Sequence, residues 1–240
     1  MSFKVDLIVP FALAVLLAPL QAQSTVDPSG TWIFQYGDGE QGGVHRFVLS
    51  LGDDGRVTGM VHPPGGTPWE IEEGKIDGNE LLLTVRPEVR ARTYVVELRG
   101  QIDGDEIKGD GTLVQPDSGV SRAIRWNPVR TVEMQDVVGA WNISIPDPRG
   151  DRTWSSVLTI TRDGEQYKGI YTSGGQQHAV TGLGIESKRL TFSTVVTRAE
   201  REMALVFQGR PYGTRIPNGT MDVNNGRFSL GFTATLSQED

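Results

Sequence analysis

Apolar and polar residues alternate along most of the chain in short runs, as at Phe47–Leu51, Leu81–Val85, Tyr94–Ile102 and Phe228–Phe232. A period of two places alternate side chains on opposite faces, which is the signature of a half-buried strand. Between the runs stand Asp53-Asp54-Gly55, Asp77-Gly78-Asn79, Asp103-Gly104-Asp105 and Asn224-Asn225-Gly226. Asp-Gly and Asn-Gly supply the positive φ angles of tight hairpin turns. No stretch beyond the N-terminal segment keeps a helical period over three turns. The pattern predicts an all-β chain.

The pattern also repeats. Gly30-Thr31-Trp32 returns as Gly139-Ala140-Trp141, and the same offset carries Ile76 onto Ile185, Leu81 onto Leu190, Leu98 onto Phe207 and Gly100 onto Gly209. It also sets Leu49 and Leu51 on Leu158 and Ile160, Trp69 on His178 and His45 on Trp154. A fixed offset sustained over about a hundred residues indicates a duplicated structural unit. In the first unit strands are expected to begin near Thr31, His45, Arg56, Trp69, Glu80, Thr93, Glu106 and Ser121, and the second unit follows the same order from Trp141 to Thr235. Eight strands joined by short hairpins close into an up-and-down barrel without exposed edges. We therefore expect two tandem antiparallel meander barrels, residues 23–127 and 139–240. The linker between them, 128–138, includes Thr131–Val138, which has room for one turn of helix.

Residues 1–22 read as a signal peptide: a weakly basic start, an apolar run from Leu7 to Leu20, and a small-residue cleavage site at Leu20-Gln21-Ala22. Export to the periplasm or the extracellular space is the corresponding expectation. The absence of Cys removes disulfides, thiol chemistry and thiolate metal sites. A net charge of −7 without a basic stripe argues against nucleic acid and anionic lipid as partners.

Gly-x-Trp opening the first strand of an eight-stranded meander resembles the calycin superfamily of lipocalins, fatty-acid-binding proteins and avidins. The stretch Phe47-Val-Leu-Ser-Leu-Gly-Asp-Asp-Gly-Arg-Val-Thr-Gly59 is similar to the second and third strands of avidin-type barrels. With Asp77-Gly-Asn-Glu-Leu81 after it, the same stretch is also similar to small β modules of secreted bacterial proteins. The resemblance implies that Trp32 and Trp141 close the barrel floors against a basic residue near the last strand. Arg122 or Arg125 is the candidate in the first unit, and the second ends Phe232-Thr-Ala-Thr-Leu236 without one. Avidin-like biotin binding needs several late cavity Trp residues, and only Trp126 is placed for that.

Candidate chemistry is sparse. Three His residues, at 45, 62 and 178, have no metal-ligand spacing. Asp103–Asp110 lacks the oxygen donor a calcium loop needs at its fifth position, Ile107. Gly37–Gly43 lacks the Lys-Ser/Thr end of a phosphate cradle. No cofactor or metal is implied. Two loops remain: Val61–Gly66 with its counterpart Tyr171–His178, and the basic crossing Arg86–Arg92 with its counterpart Val195–Arg201. If every hairpin is short, both lie at one barrel end, where Arg pairs beside an aromatic suit an acidic group. The candidate ligand-binding residues are His62, Trp69, Arg90, Arg92, His178, Arg198 and Arg201.

Three functional readings follow. The first is an exported calycin-like protein binding a small, largely apolar or amphipathic ligand, with or without an acidic group. The second is a structural or interaction module with filled barrels and a protein partner. The third is a cavity enzyme such as a cyclase, isomerase or hydrolase. Leu49, Leu51, Leu81, Leu83, Val96 and Leu98 in the first unit, like Leu158, Ile160, Leu190, Phe192, Leu205 and Phe207 in the second, favour filled interiors.

Overall fold

The computed structural model describes residues 26–37, 43–89, 91–148, 150, 152–198 and 201–237. The proposed signal peptide, residues 1–22, lies outside them. The chain forms two closed antiparallel barrels of eight strands in tandem. Barrel one runs through β1 (Gly30–Tyr36), β2 (Gly43–Leu51), β3 (Val57–His62), β4 (Trp69–Asp77) and β5 (Glu80–Val85). A small hairpin of β6 (Glu88–Val89) and β7 (Arg92–Thr93) then leads to β8 (Val95–Asp103) and β9 (Glu106–Gln115). The eighth stave is broken at Asn127-Pro128 into β10 (Val120–Trp126) and β11 (Val129–Thr131). Proline cannot donate to a ladder, and beyond it the stave keeps β9 at Val129–Glu106 and gains β1 as a second neighbour. β10 pairs along β9, whereas β11 pairs with β1 and closes the ring. The segment expected to be a linker therefore supplies the closing strand before a single turn of 3-10 helix at Met134–Val137.

Barrel two comprises β12 (Gly139–Pro146), β13 (Thr153–Asp163), β14 (Gln166–Ser173), β15 (Gln176–Glu186), β16 (Arg189–Arg198), β17 (Arg201–Gly209), β18 (Arg215–Val223) and β19 (Phe228–Leu236). In both barrels the first and last strands pair only near the Trp end. Ile33 is the last residue of β1 bonded to β11, and Ser144 the last of β12 bonded to β19. Strand register gives a firmer equivalence than sequence offset. Trp32 opposes Phe47 as Trp141 opposes Leu158, and Gly30 opposes Leu49 as Gly139 opposes Ile160. The expected matches of Leu49 with Leu158 and of Leu51 with Ile160 are thus two residues out of step, because the β12–β13 hairpin is longer. His45 corresponds to Ser156 rather than to Trp154, which lies on the barrel surface.

The repeated Gly-x-Trp has a local cause. Gly30 and Gly139 have φ of 120° and 127°, values that only glycine adopts without strain. The backbone just before each strand folds over the ring. Trp32 Nε1 donates to the Pro28 carbonyl at 2.8 Å, and Trp141 Nε1 to the Val137 carbonyl at 2.9 Å. Opposite Trp32 on β11 stands Arg130, and opposite Trp141 on β19 stands Leu236. Arg130, not Arg122 or Arg125, is the basic residue under the floor, its guanidinium 4.2 Å from the Trp32 ring. It is 2% exposed, donates to the carbonyls of Ser29 and Asp27, and lies 5.0 Å from the ring of Tyr212 in barrel two. Burial pulls its pKa down to about 10, so the group stays charged at neutral pH.

Asp105, in the β8–β9 turn, completes this junction. It accepts from Lys188 at 2.6 Å and from Arg210, both of barrel two, and lies 3.8 Å from Arg130 Nε. Arg215 reaches back to Asp27 at 2.8 Å, and Arg46 pairs with Asp136 of the 3-10 turn. Burial alone raises the Asp105 carboxyl, but the bonds from Lys188 and Arg210 outweigh it and hold the group below its usual 3.8. The turn that superficially suggests calcium is an inter-barrel anchor.

Two expectations follow. Arg130→Leu, which copies Leu236, strands the Ser29 and Asp27 carbonyls and should lower the unfolding free energy by about 3 kcal/mol in urea titrations. A loss under about 0.5 kcal/mol shows that the floor does not depend on the cation. Asp105 binds fewer protons folded than unfolded, so its contribution is complete above pH 3.8 and is lost as pH falls through its lower folded value. The stability advantage of the native chain over Asp105→Asn should shrink on acidification below that point. A constant difference down to full acid unfolding contradicts the anchor.

Candidate functional site

The two barrels share a plan but not an interior. In barrel two Phe192 and Phe207 stack at 4.5 Å, with Tyr171 and Phe232 against Phe207 at 5.3 and 5.6 Å. All four rings are buried and fill the barrel. In barrel one the residues at the same register are Leu83, Leu98, Val61 and Trp126. Three of the four rings are replaced by smaller aliphatic side chains. The result is a cavity of about 300 Å³ in barrel one, at the lower end of small-molecule sites. The expectation of a filled first interior is overturned here, because Leu49, Leu81 and Leu83 pack the lower wall and leave the level above them open.

Trp126 and Phe47 bound this space, with ring centroids 5.8 Å apart. Trp126 is fully buried on β10 and sits against Gly100, where an added Cβ would lie 3.3 Å from the indole. Phe232 sits in the same way against Gly209, the register match of Gly100. Phe34, Tyr36, His45 and Trp69 form a chain of rings up one side, with His45 6.2 Å from Tyr36 and 5.9 Å from Trp69. Pro87, Val89 and Tyr94, flanking the β6–β7 hairpin, line the other side. Among the described residues no Asp, Glu, Lys or Arg lines the cavity. Arg122 stands over Tyr36 at 5.7 Å as an exposed cation.

Two buried polar atoms of cavity residues have no hydrogen-bond partner among the described residues, Trp126 Nε1 and His45 Nδ1. Burial lowers the His45 pKa, and a weaker contribution from the Gly43 carbonyl opposes it. The imidazole is neutral at pH 7. In barrel two Tyr171 occupies the space beside Ser156, the register match of His45. Burial raises that phenol, and the Ser156 and Ser173 hydroxyls partly offset the effect. Barrel two presents a hydroxyl-lined groove beside Ser144, Ser155 and Thr172 at this end, about 460 Å³ in volume.

The two loops singled out by sequence do meet at one barrel end, since Val61, Trp69, Pro87 and Val89 line the same cavity. Of the candidates among the described residues, only Trp69 lines it. His62 follows Val61 on β3 and so faces the other side of the sheet. Arg92 is exposed on the β7 side of the hairpin, and Arg90 lies outside the described residues. His178 packs on Tyr171 at 6.4 Å, in the filled barrel. Arg198 and Arg201 end paired strands of barrel two, Arg201 exposed. The residues that sequence reasoning missed are Trp126, His45, Tyr36 and Phe34. The signal that finds them is the size difference between register-matched positions of the two units. Among the described residues no three His, Asp or Glu side chains converge as a metal site would require.

No family model and no curated protein matches the chain. Among solved structures it is similar to a protein of unknown function from the DUF3598 family of Nostoc punctiforme, with 10% identity. That match covers 88% of this chain and 97% of the other at a TM-score of 0.30. It is also similar to the Pseudomonas aeruginosa MucA/MucB complex, at 10% identity, 90% and 89% coverage and a TM-score of 0.18.

His45 gives the site a measurable signature. Its ring should titrate below 6.5 in the folded protein, followed by the pH dependence of its NMR signals. Because the folded pKa is the lower one, the His45 contribution is complete above 6.5 and is lost as pH falls through the folded value. A midpoint at or above 6.5 contradicts the burial of this ring in the cavity wall.

Proposed function

We propose that the chain is an exported, calycin-like binding protein that holds a small, largely apolar molecule inside barrel one. The observation that carries this reading is the replacement of Tyr171, Phe192 and Phe207 by Val61, Leu83 and Leu98, which opens an apolar interior in one copy of a duplicated barrel. Gly-x-Trp at the head of each eight-stranded meander supports the calycin likeness, and the apolar run Leu7–Leu20 supports export. An aromatic-lined cavity without charged walls suits a ligand that gains by leaving water.

The second reading, a structural or interaction module, is favoured for barrel two alone, whose interior is occupied by its own rings. On this view barrel two is a rigid companion that clamps the floor of barrel one through Arg130 and Asp105.

2-Ethylnaphthalene, a neutral apolar probe, should bind with one site per chain in calorimetry. Val61→Tyr, which copies Tyr171, should abolish that binding at an overpacking cost of about 1–3 kcal/mol in stability. Equal binding by the native chain and the folded Val61→Tyr variant places the probe elsewhere and sinks this reading.

A further inference from the structure

The cavity of barrel one is not uniformly apolar. Trp126 is buried, and its Nε1–H is without a partner among the described residues. An indole N–H is a donor only, so an acceptor is the one kind of group that can satisfy it. A buried donor left unpaired is costly, and native interiors rarely tolerate one without a reason. The duplicated barrel shows that the fold does not need this donor. Phe232 holds the equivalent position, against the equivalent wall glycine, and carries no polar atom. The hydrogen-bonding His45 is likewise specific to barrel one, where barrel two has Ser156 beside a space-filling Tyr171.

Charge narrows the class further. No cationic side chain among the described residues lines the cavity, and Arg130 is committed to Ser29, Asp27 and the far face of the floor. Arg122 stays outside, over Tyr36. A buried carboxylate without a cation is strongly disfavoured. A neutral acceptor carries no such penalty.

Resting on the reading of barrel one as a binding barrel, we propose that its occupant is a neutral, largely apolar molecule bearing one carbonyl-type acceptor, a ketone, aldehyde or ester, that accepts from the indole N–H of Trp126. The apolar body lies among Phe34, Phe47, Val61 and Leu98, and the acceptor reaches the indole N–H through a local shift of the side chains that seal it in this structure. The acidic group that the Arg loops suggest has no place at this depth.

Three ligands with one skeleton test this on the full chain: 2-acetylnaphthalene, 2-ethylnaphthalene and 2-naphthoate. Calorimetry measures their affinities for the native protein, Trp126→Phe and Val61→Tyr. The Trp126→Phe variant copies Phe232, so the fold already accommodates it. The expected result is that the ketone-to-hydrocarbon affinity ratio falls about tenfold in Trp126→Phe, while 2-ethylnaphthalene binding changes less than about threefold. The Trp126 indole proton should also move downfield with the ketone and not with the hydrocarbon. An unchanged ratio, or an unmoved indole proton in the saturated ketone complex, overturns the assignment of the acceptor. Binding of 2-naphthoate as tight as that of the ketone overturns the neutrality of the occupant. If none of the three binds, or Val61→Tyr binds 2-ethylnaphthalene as the native chain does, the binding-barrel reading itself fails.

Discussion

The guanidinium of Arg130 is the point on which both barrels converge. It lies against the rings of Trp32 and Tyr212, one from each unit, and its two terminal nitrogens donate to the carbonyls that lead into β1, while Nε has no hydrogen-bond partner among the described residues. A buried cation needs partners on every side, and the partners here come from β1, the β8–β9 turn and the β17–β18 connection. The floor of barrel one, the entry to its first strand and the placement of its neighbour are consequences of one residue's solvation. Barrel two closes the same floor with Leu236, an aliphatic side chain, opposite Trp141.

Duplication with divergence explains the remaining asymmetry. Both copies keep the features that make the barrel: the positive-φ glycine before Trp, the wall glycines under the late aromatic ring, and the hairpin turns. They part where only the interior is affected. One copy packs Phe192, Phe207 and Phe232 together, the first pair stacked and the second edge to face. The other thins that set of rings to aliphatics and keeps a Trp whose polar edge has no partner among the described residues.

Much of this fold was legible in the sequence. Period-two alternation and Asp-Gly or Asn-Gly turns locate the strands, and the Gly-x-Trp repeat locates the two units. What the sequence hid has identifiable physical causes. Pro128 breaks the last stave, so the cation under Trp32 comes from a segment read as a linker, and Arg122 and Arg125 face solvent instead. The longer β12–β13 hairpin shifts register by two residues, which turns the apparent His45–Trp154 exchange into a His45–Ser156 one. Counting large aliphatics suggested a filled first barrel, but Leu and Val fill less than the Phe and Tyr at the same level. The basic loops drew attention because charge stands out in a sequence. The cavity is lined by rings that read as ordinary core.

The incomplete pairing of β1 has a consequence of its own. Above Ile33 the rim half of β1 has no ladder partner on its β10 side, among the described residues, while Phe34 and Tyr36 on that half face the cavity. The barrel is thus closed at its floor and unlaced at its rim, along a line where no backbone hydrogen bond has to break for the mouth to widen. The width of the mouth is set by side-chain packing across that seam, so the mouth and the backbone ladder of the floor can change independently of each other.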